Sequence, residues 1–231
     1  EKIFYVDQLA SSPEGKGILE FSGQLNVSSP DRYSLMADLD LKGIDISDLN
    51  LELQSGDTIL VVNDHFHGVV DARGLAEIFI TPELKVDLST STAAFNVTIS
   101  DGALINFTPL QAAGKFLDSK DLNNVRFATV RNSFTLTDSR ITIPLMNVES
   151  TVGQLLIQGE QGLDMSYLYL VRVPPKLARE AARSAMSERE KDVGEDQVSQ
   201  MKRGDFLGIT VWSNGTESDF KLGDKRRKFQ E

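Results

Sequence analysis

From Gly17 to about Ile99, apolar and polar residues alternate over short stretches, the period that sets one face of a β-strand against a core. In Ile18-Leu19-Glu20-Phe21-Ser22-Gly23-Gln24-Leu25, and again from Tyr33 to Leu41, every second residue is apolar over much of the run. Ser28-Ser29-Pro30-Asp31 between them is a turn signal, so the pair predicts a hairpin. Further strands are predicted at 49–53, 58–63, 67–73, 75–80, 85–89 and 94–99, separated by Ser55-Gly56-Asp57, Asp64, Gly74 and Pro82-Glu83. Asp101-Gly102 is a turn dipeptide and predicts a tight hairpin between 97–99 and 103–107. This spacing argues for an antiparallel meander over alternating helix and strand.

After Pro109 the period changes. Leu110, Ala113, Phe116 and Leu117 recur at helical steps behind Thr108 as N-cap and Pro109 at the first helical position, which predicts one short helix near 109–121. Strand patterns resume at 125–130, 133–136, 140–144, 145–149, 153–159 and 165–173. From 174 to 202 charged residues such as Lys176, Arg179, Glu180 and Arg183 surround a small seam of Leu177, Ala181 and Ala185. That segment reads as a helical or disordered insertion with a charged helix near 175–191. A last strand pair at 206–212 and 218–222 precedes a basic tail at 225–231. The fold class is mainly β, read as a single β-rich domain over 1–231.

Composition narrows the function classes. The chain has 231 residues, 40% of them hydrophobic and 25% charged, and such a chain buries a core without staples. A formal charge of -10 disfavours nucleic acid as a partner. With no Cys, disulfides, thiolate nucleophiles and Cys-ligated metals are excluded. No apolar run approaches the length of a membrane helix, and Glu1-Lys2-Ile3-Phe4-Tyr5 is not a signal peptide. The opening is read as a mature-domain boundary with any anchor upstream.

Sites of chemistry are few. Asp64-His65-Phe66-His67 holds both histidines of the chain, and alternate positions on a strand would put the two imidazoles on one face, as a metal site requires. No carboxylate is spaced to complete such a site, and the plain reading is a hairpin end. Asp38 with Asp40, or Asp45 with Asp48, could do acid–base work, although on an alternating strand such pairs mark the solvated face. Neither a nucleophile elbow nor a phosphate loop occurs, and Lys225-Arg226-Arg227-Lys228 reads as a solvated tail. No catalytic, metal or cofactor residue is therefore assigned. The remaining feature is apolar strand faces, on which each buried methylene of a ligand would gain about 0.8 kcal/mol.

Asp101-Gly102-Ala103-Leu104-Ile105-Asn106-Phe107, the run from Thr108 to Leu117, and Asp121-Leu122-Asn123-Asn124-Val125-Arg126-Phe127 resemble, in that order, the C-terminal region of AsmA-like proteins. Ile141-Thr142-Ile143-Pro144-Leu145-Met146-Asn147-Val148-Glu149-Ser150 and Gly153 to Gly159 continue the likeness, which covers about 75–173. The resemblance implies a periplasm-facing protein anchored upstream in the inner membrane and related to bridge-like lipid transfer proteins. Its sheet would be long, curved and antiparallel, an open groove or half-barrel that handles phospholipid or another acyl lipid in outer-membrane biogenesis. It implies no catalytic residue and no cofactor. The alternative is a structural or protein-interaction module that contacts other envelope proteins without carrying lipid.

Overall fold

Side-chain alternation resolves into thirteen strands in a computed structural model that describes residues 2–11, 17–48, 52–55, 58–61, 65–107, 110–111, 120–174 and 206–222. The strands are β1 (Ile3–Ser11), β2 (Ile18–Asn26), β3 (Tyr33–Asp45), β4 (Glu52–Ser55), β5 (Thr58–Val61), β6 (Phe66–Ile80) and β7 (Val86–Ile105). After them come β8 (Asn124–Thr137), β9 (Arg140–Ser150), β10 (Gly153–Gly162), β11 (Ser166–Val173), β12 (Leu207–Asn214) and β13 (Ser218–Leu222). Eleven form one antiparallel sheet in the order β1-β2-β3-β6-β7-β8-β9-β10-β11-β12-β13, while β4 and β5 pair only with each other. The sheet is a meander with one hairpin set outside it. It is not closed into a barrel, because β1 and β13 are its two ends.

The predicted β2–β3 hairpin forms, with Leu25 opposite Leu35 and Leu19 opposite Leu41. The hairpin predicted at Asp101-Gly102 does not. Strand β7 runs straight through the dipeptide, with Ser100 opposite Thr129 and Gly102 opposite Phe127. The type I′ hairpin turn that Asp-Gly favours needs positive φ at both central residues, and here Asp101 alone has it (φ 50°), which kinks the strand without reversing it. Gly102 serves packing instead: a Cβ there would overlap the Phe127 ring.

Other predicted breaks also lie inside continuous strands. Gly74 sits mid-β6 because a Cβ would come within 2.6 Å of the Phe95 ring on β7. Pro144 sits mid-β9, exposed together with Leu145, and its carbonyl accepts a 2.9 Å hydrogen bond from the Asn132 amide. Strand β1 was not expected, since Ile3-Phe4-Tyr5-Val6 is an apolar run without alternation. Of the helix expected over 109–121, residues 110 and 111 are helical, 112–119 lie outside the described residues, and Lys120–Asn123 is a 3-10 turn. The charged helix expected near 175–191, the rest of the 174–202 insertion past Pro174, and the basic tail likewise lie outside the described residues. Among the described residues no helix is long and apolar enough to cross a membrane.

The sheet rolls. Strands β7 and β11 are four places apart, roughly 19 Å in a flat sheet at 4.8 Å per strand. Yet Phe107, just beyond β7, stacks edge-on against Tyr169 of β11 at 5.8 Å, and against Phe66 of β6 at 5.3 Å. The chain after β7 turns inward at Asn106 (φ 50°), where Leu110 and Gln111 donate to the Phe107 carbonyl in one helical turn. This carries Leu110 and Leu122, both fully buried, into the core with Val125, Leu155, Ile157, Tyr169 and Val211. Each such apolar side chain contributes about 1.5–3 kcal/mol. Register shifts at Leu41/Ile44 and at His67/Val69, the latter at Gly68, supply the bends.

At the β10–β11 turn, burial alone would raise the Asp164 carboxyl, but the Ser166 hydroxyl and amide, with Arg140 nearby, outweigh it and hold the pKa below the ordinary value of 3.8. A depressed folded-state pKa stabilises above the unfolded value and loses that stabilisation as pH falls through it. In urea titrations, wild type and Asp164→Asn should therefore differ at pH 6, with the difference shrinking once pH falls below 3.8 and through the lowered folded-state pKa. Gly102→Ala should lower stability by about 1–3 kcal/mol through overpacking against Phe127, read from the urea midpoint at unchanged slope.

Candidate functional site

Residues directly opposite one another in paired strands share a face of the sheet. One row on one face runs Phe21, Leu39, Gly74, Phe95, Phe134 across β2, β3, β6, β7 and β8. Four residues along the strands lies a second row, Leu25, Leu35 and Ile78. Between the two runs Gly23, Ala37, Ala76 and Ala93, a line of small side chains continuing to Leu136 and Ile141. At about 3.3 Å per residue the two ridges stand roughly 13 Å apart, with a trough of glycine and alanine as its floor. No residue of these rows is charged.

Exposure differs along this face. Phe21, Leu25, Leu35, Leu39, Phe95 and Phe134 are all half-buried, and at the β1 edge Phe4 is 60% exposed. From Val148 on β9 to Val211 on β12 the same face is fully buried beneath Phe66, Phe107, Leu110 and Leu122. One sheet thus presents a closed apolar core in its C-terminal half and an open apolar trough in its N-terminal half. Within the closed half, burial pushes the Tyr169 phenol up, and its hydroxyl donates to the Gln161 side-chain oxygen at 3.3 Å.

The opposite face is mixed. A shallow groove of about 640 Å³ over β1 to β8 is lined mainly by residues of this face, Tyr5, Met36 and Leu75 but also Asp38 and Glu77, and reaches Ala37 and Ala76 of the floor row as well. Asp40 is on this face too, and with Glu20 it holds Lys42 at 3.1 and 3.2 Å. Hydrogen bonds to Asp40 and then Glu20 raise the Lys42 ammonium above the usual lysine range. Asp38 and Asp40 thus mark a solvated face. Asp45 accepts from the Ser47 amide at 2.9 Å and from its hydroxyl, which ties off the turn at Ile46–Asp48.

The histidines are not brought together on one strand face. His65 precedes β6 in a turn, where a ring nitrogen meets the Ile105 carbonyl at 3.2 Å and its own carbonyl accepts from the Ile105 amide at 2.9 Å. His67 lies within β6 opposite Ala103. Asp64 and Lys225–Lys228 lie outside the described residues. Among the described residues no three His, Asp or Glu side chains gather as a metal site. The two ridges and the Phe107–Tyr169 contact went unassigned in the sequence, where the signals were Gly74 inside a strand run and Phe107 just past an apolar strand.

Comparison of the chain with protein-family models, with curated proteins and with solved structures found no match.

The contrast between open trough and closed core is measurable as stability. Phe127, buried against Gly102, should cost about 3–5 kcal/mol on replacement by Ala, whereas half-buried Phe95→Ala should cost less than about 2 kcal/mol. Equal losses in urea unfolding would mean that the trough is packed like the core.

Proposed function

We propose that this chain is a non-catalytic lipid-handling module of an AsmA-like envelope protein, working in the periplasm in outer-membrane biogenesis. Its curved open sheet would form a groove or half-barrel in which the trough holds the acyl chain of a phospholipid. The observation that carries this reading is the uncharged, half-buried apolar surface spanning β2 to β8. An acyl chain suits that surface because it brings no polar group. The strand amides and carbonyls beneath are already paired in the sheet, so an extended peptide would bury its own backbone groups unpaired. The order of motifs from Asp101 to Gly159 supports the family assignment.

A second reading, a protein-interaction module, draws on the free β1 edge, where Phe4 and Tyr5 are 60% and 69% exposed. Under it, partner capture would depend on β1 and be indifferent to the trough.

After incubation with phosphatidylethanolamine–phosphatidylglycerol vesicles, native mass spectrometry should find phospholipid adducts on the wild type. In a Leu39→Glu/Phe95→Glu variant they should fall about tenfold or more, since the groove must then bury unpaired carboxylates. A wild type free of adducts would overturn the lipid reading.

A further inference from the structure

Building on that lipid reading, we infer that the trough is blind: an acyl chain running across the strands stops at the β9–β10 boundary and goes no further into the C-terminal half. The floor of small residues, Gly23, Ala37, Ala76 and Ala93, continues through Leu136 and Ile141 and then reaches Gln161 and Tyr167 in the same row. Gln161 is a chemical stop. Its amide nitrogen donates to the carbonyls of Gly162 at 3.0 Å and Ser166 at 3.2 Å, while its oxygen accepts from the Tyr169 hydroxyl at 3.3 Å. An alkyl chain replaces none of these bonds, and inserting one would strand buried polar atoms.

The steric stop coincides with the chemical one. Tyr169 is 2% exposed and closed over by Phe107, itself edge-on to Phe66, and Val211 opposite it on β12 is 0% exposed. A packed interior at this density has no room for a further chain. The accessible run from β2 to β9 crosses five strand spacings, roughly 24 Å, so the ligand class is one whose apolar part fits that length and whose polar group stays toward the open N-terminal side. Phe107 is the part of the stop that can be altered without touching a strand, because it lies just past the end of β7 and packs on Tyr169 through its ring alone.

The test maps contacts from the lipid side, so that the core is left unaltered. Wild-type protein is loaded with a phosphatidylglycerol carrying a diazirine in its acyl chain, irradiated, and the labelled residues are found by peptide mass spectrometry. Labels are expected on Phe21, Leu39, Phe95 and Phe134 and at least tenfold fewer on β10–β12. In Phe107→Ala they should spread to Tyr169 and Val211, while Phe107→Leu should keep the wild-type map. Equal labelling of β2–β8 and β10–β12 in the wild type would overturn the blind end and leave lipid handling standing. Labels absent from β2–β8 would instead sink the lipid reading itself. If Phe107→Ala does not fold by circular dichroism, the wild-type map decides alone.

Discussion

Strict two-residue alternation, held in register from strand to strand, is the constraint on which everything else in this protein rests. Once Gly23 faces Ala37 and Leu25 faces Leu35, each later strand of the meander inherits the same choice of sides. A one-residue slip anywhere would exchange the apolar face for the one bearing Glu20, Asp40 and Lys42. The bulge near Gly43 and the one where Gly68 of β6 faces Asp101-Gly102 of β7 bend the sheet while keeping Ile44, Val70, Ile99 and Val130 together on the apolar side. Charge is thereby kept off one side across the trough.

That side then meets two different ends. In the C-terminal half the β7–β8 crossover folds inward and Phe107 bridges Phe66 and Tyr169, so apolar side chains are fully desolvated and the hydrophobic effect holds the roll shut. In the N-terminal half the ridges of Phe21, Leu39 and Phe95 stay half-buried and do not reach the full burial of that core. A partly open apolar surface of this kind is what the proposed lipid reading draws on. The closed half supplies the stability that the open half forgoes.

The strand content and the meander were legible in the sequence because both follow from local alternation and short turns. Single residues misled where a local signal had a tertiary cause. Asp101-Gly102 carries a turn signal, but its glycine is required by the Phe127 ring from the next strand. Gly74 looks like a break, but it makes room for Phe95. The apolar face was visible as alternation, whereas its division into an open trough and a closed core was not. That division depends on Phe107 meeting Tyr169, residues that the sequence keeps far apart and only the rolled sheet joins. The His65–His67 pair read as a hairpin end, and what spacing could not supply is the Ile105 carbonyl that engages the His65 ring.

The meander also carries a kinetic consequence. Apart from β3 with β6, every pairing in the large sheet joins strands adjacent in the chain, and all of these but β7–β8 and β11–β12 are linked by short turns that close with little loop entropy to overcome. The Phe107–Tyr169 contact is different in kind, since it must wait until four further strands are in place. Zippering of the sheet and sealing of its core are thus separable events. The last to occur in folding is then the first to be undone when the molecule breathes, so the seal between Phe107 and Tyr169 opens before the sheet itself comes apart.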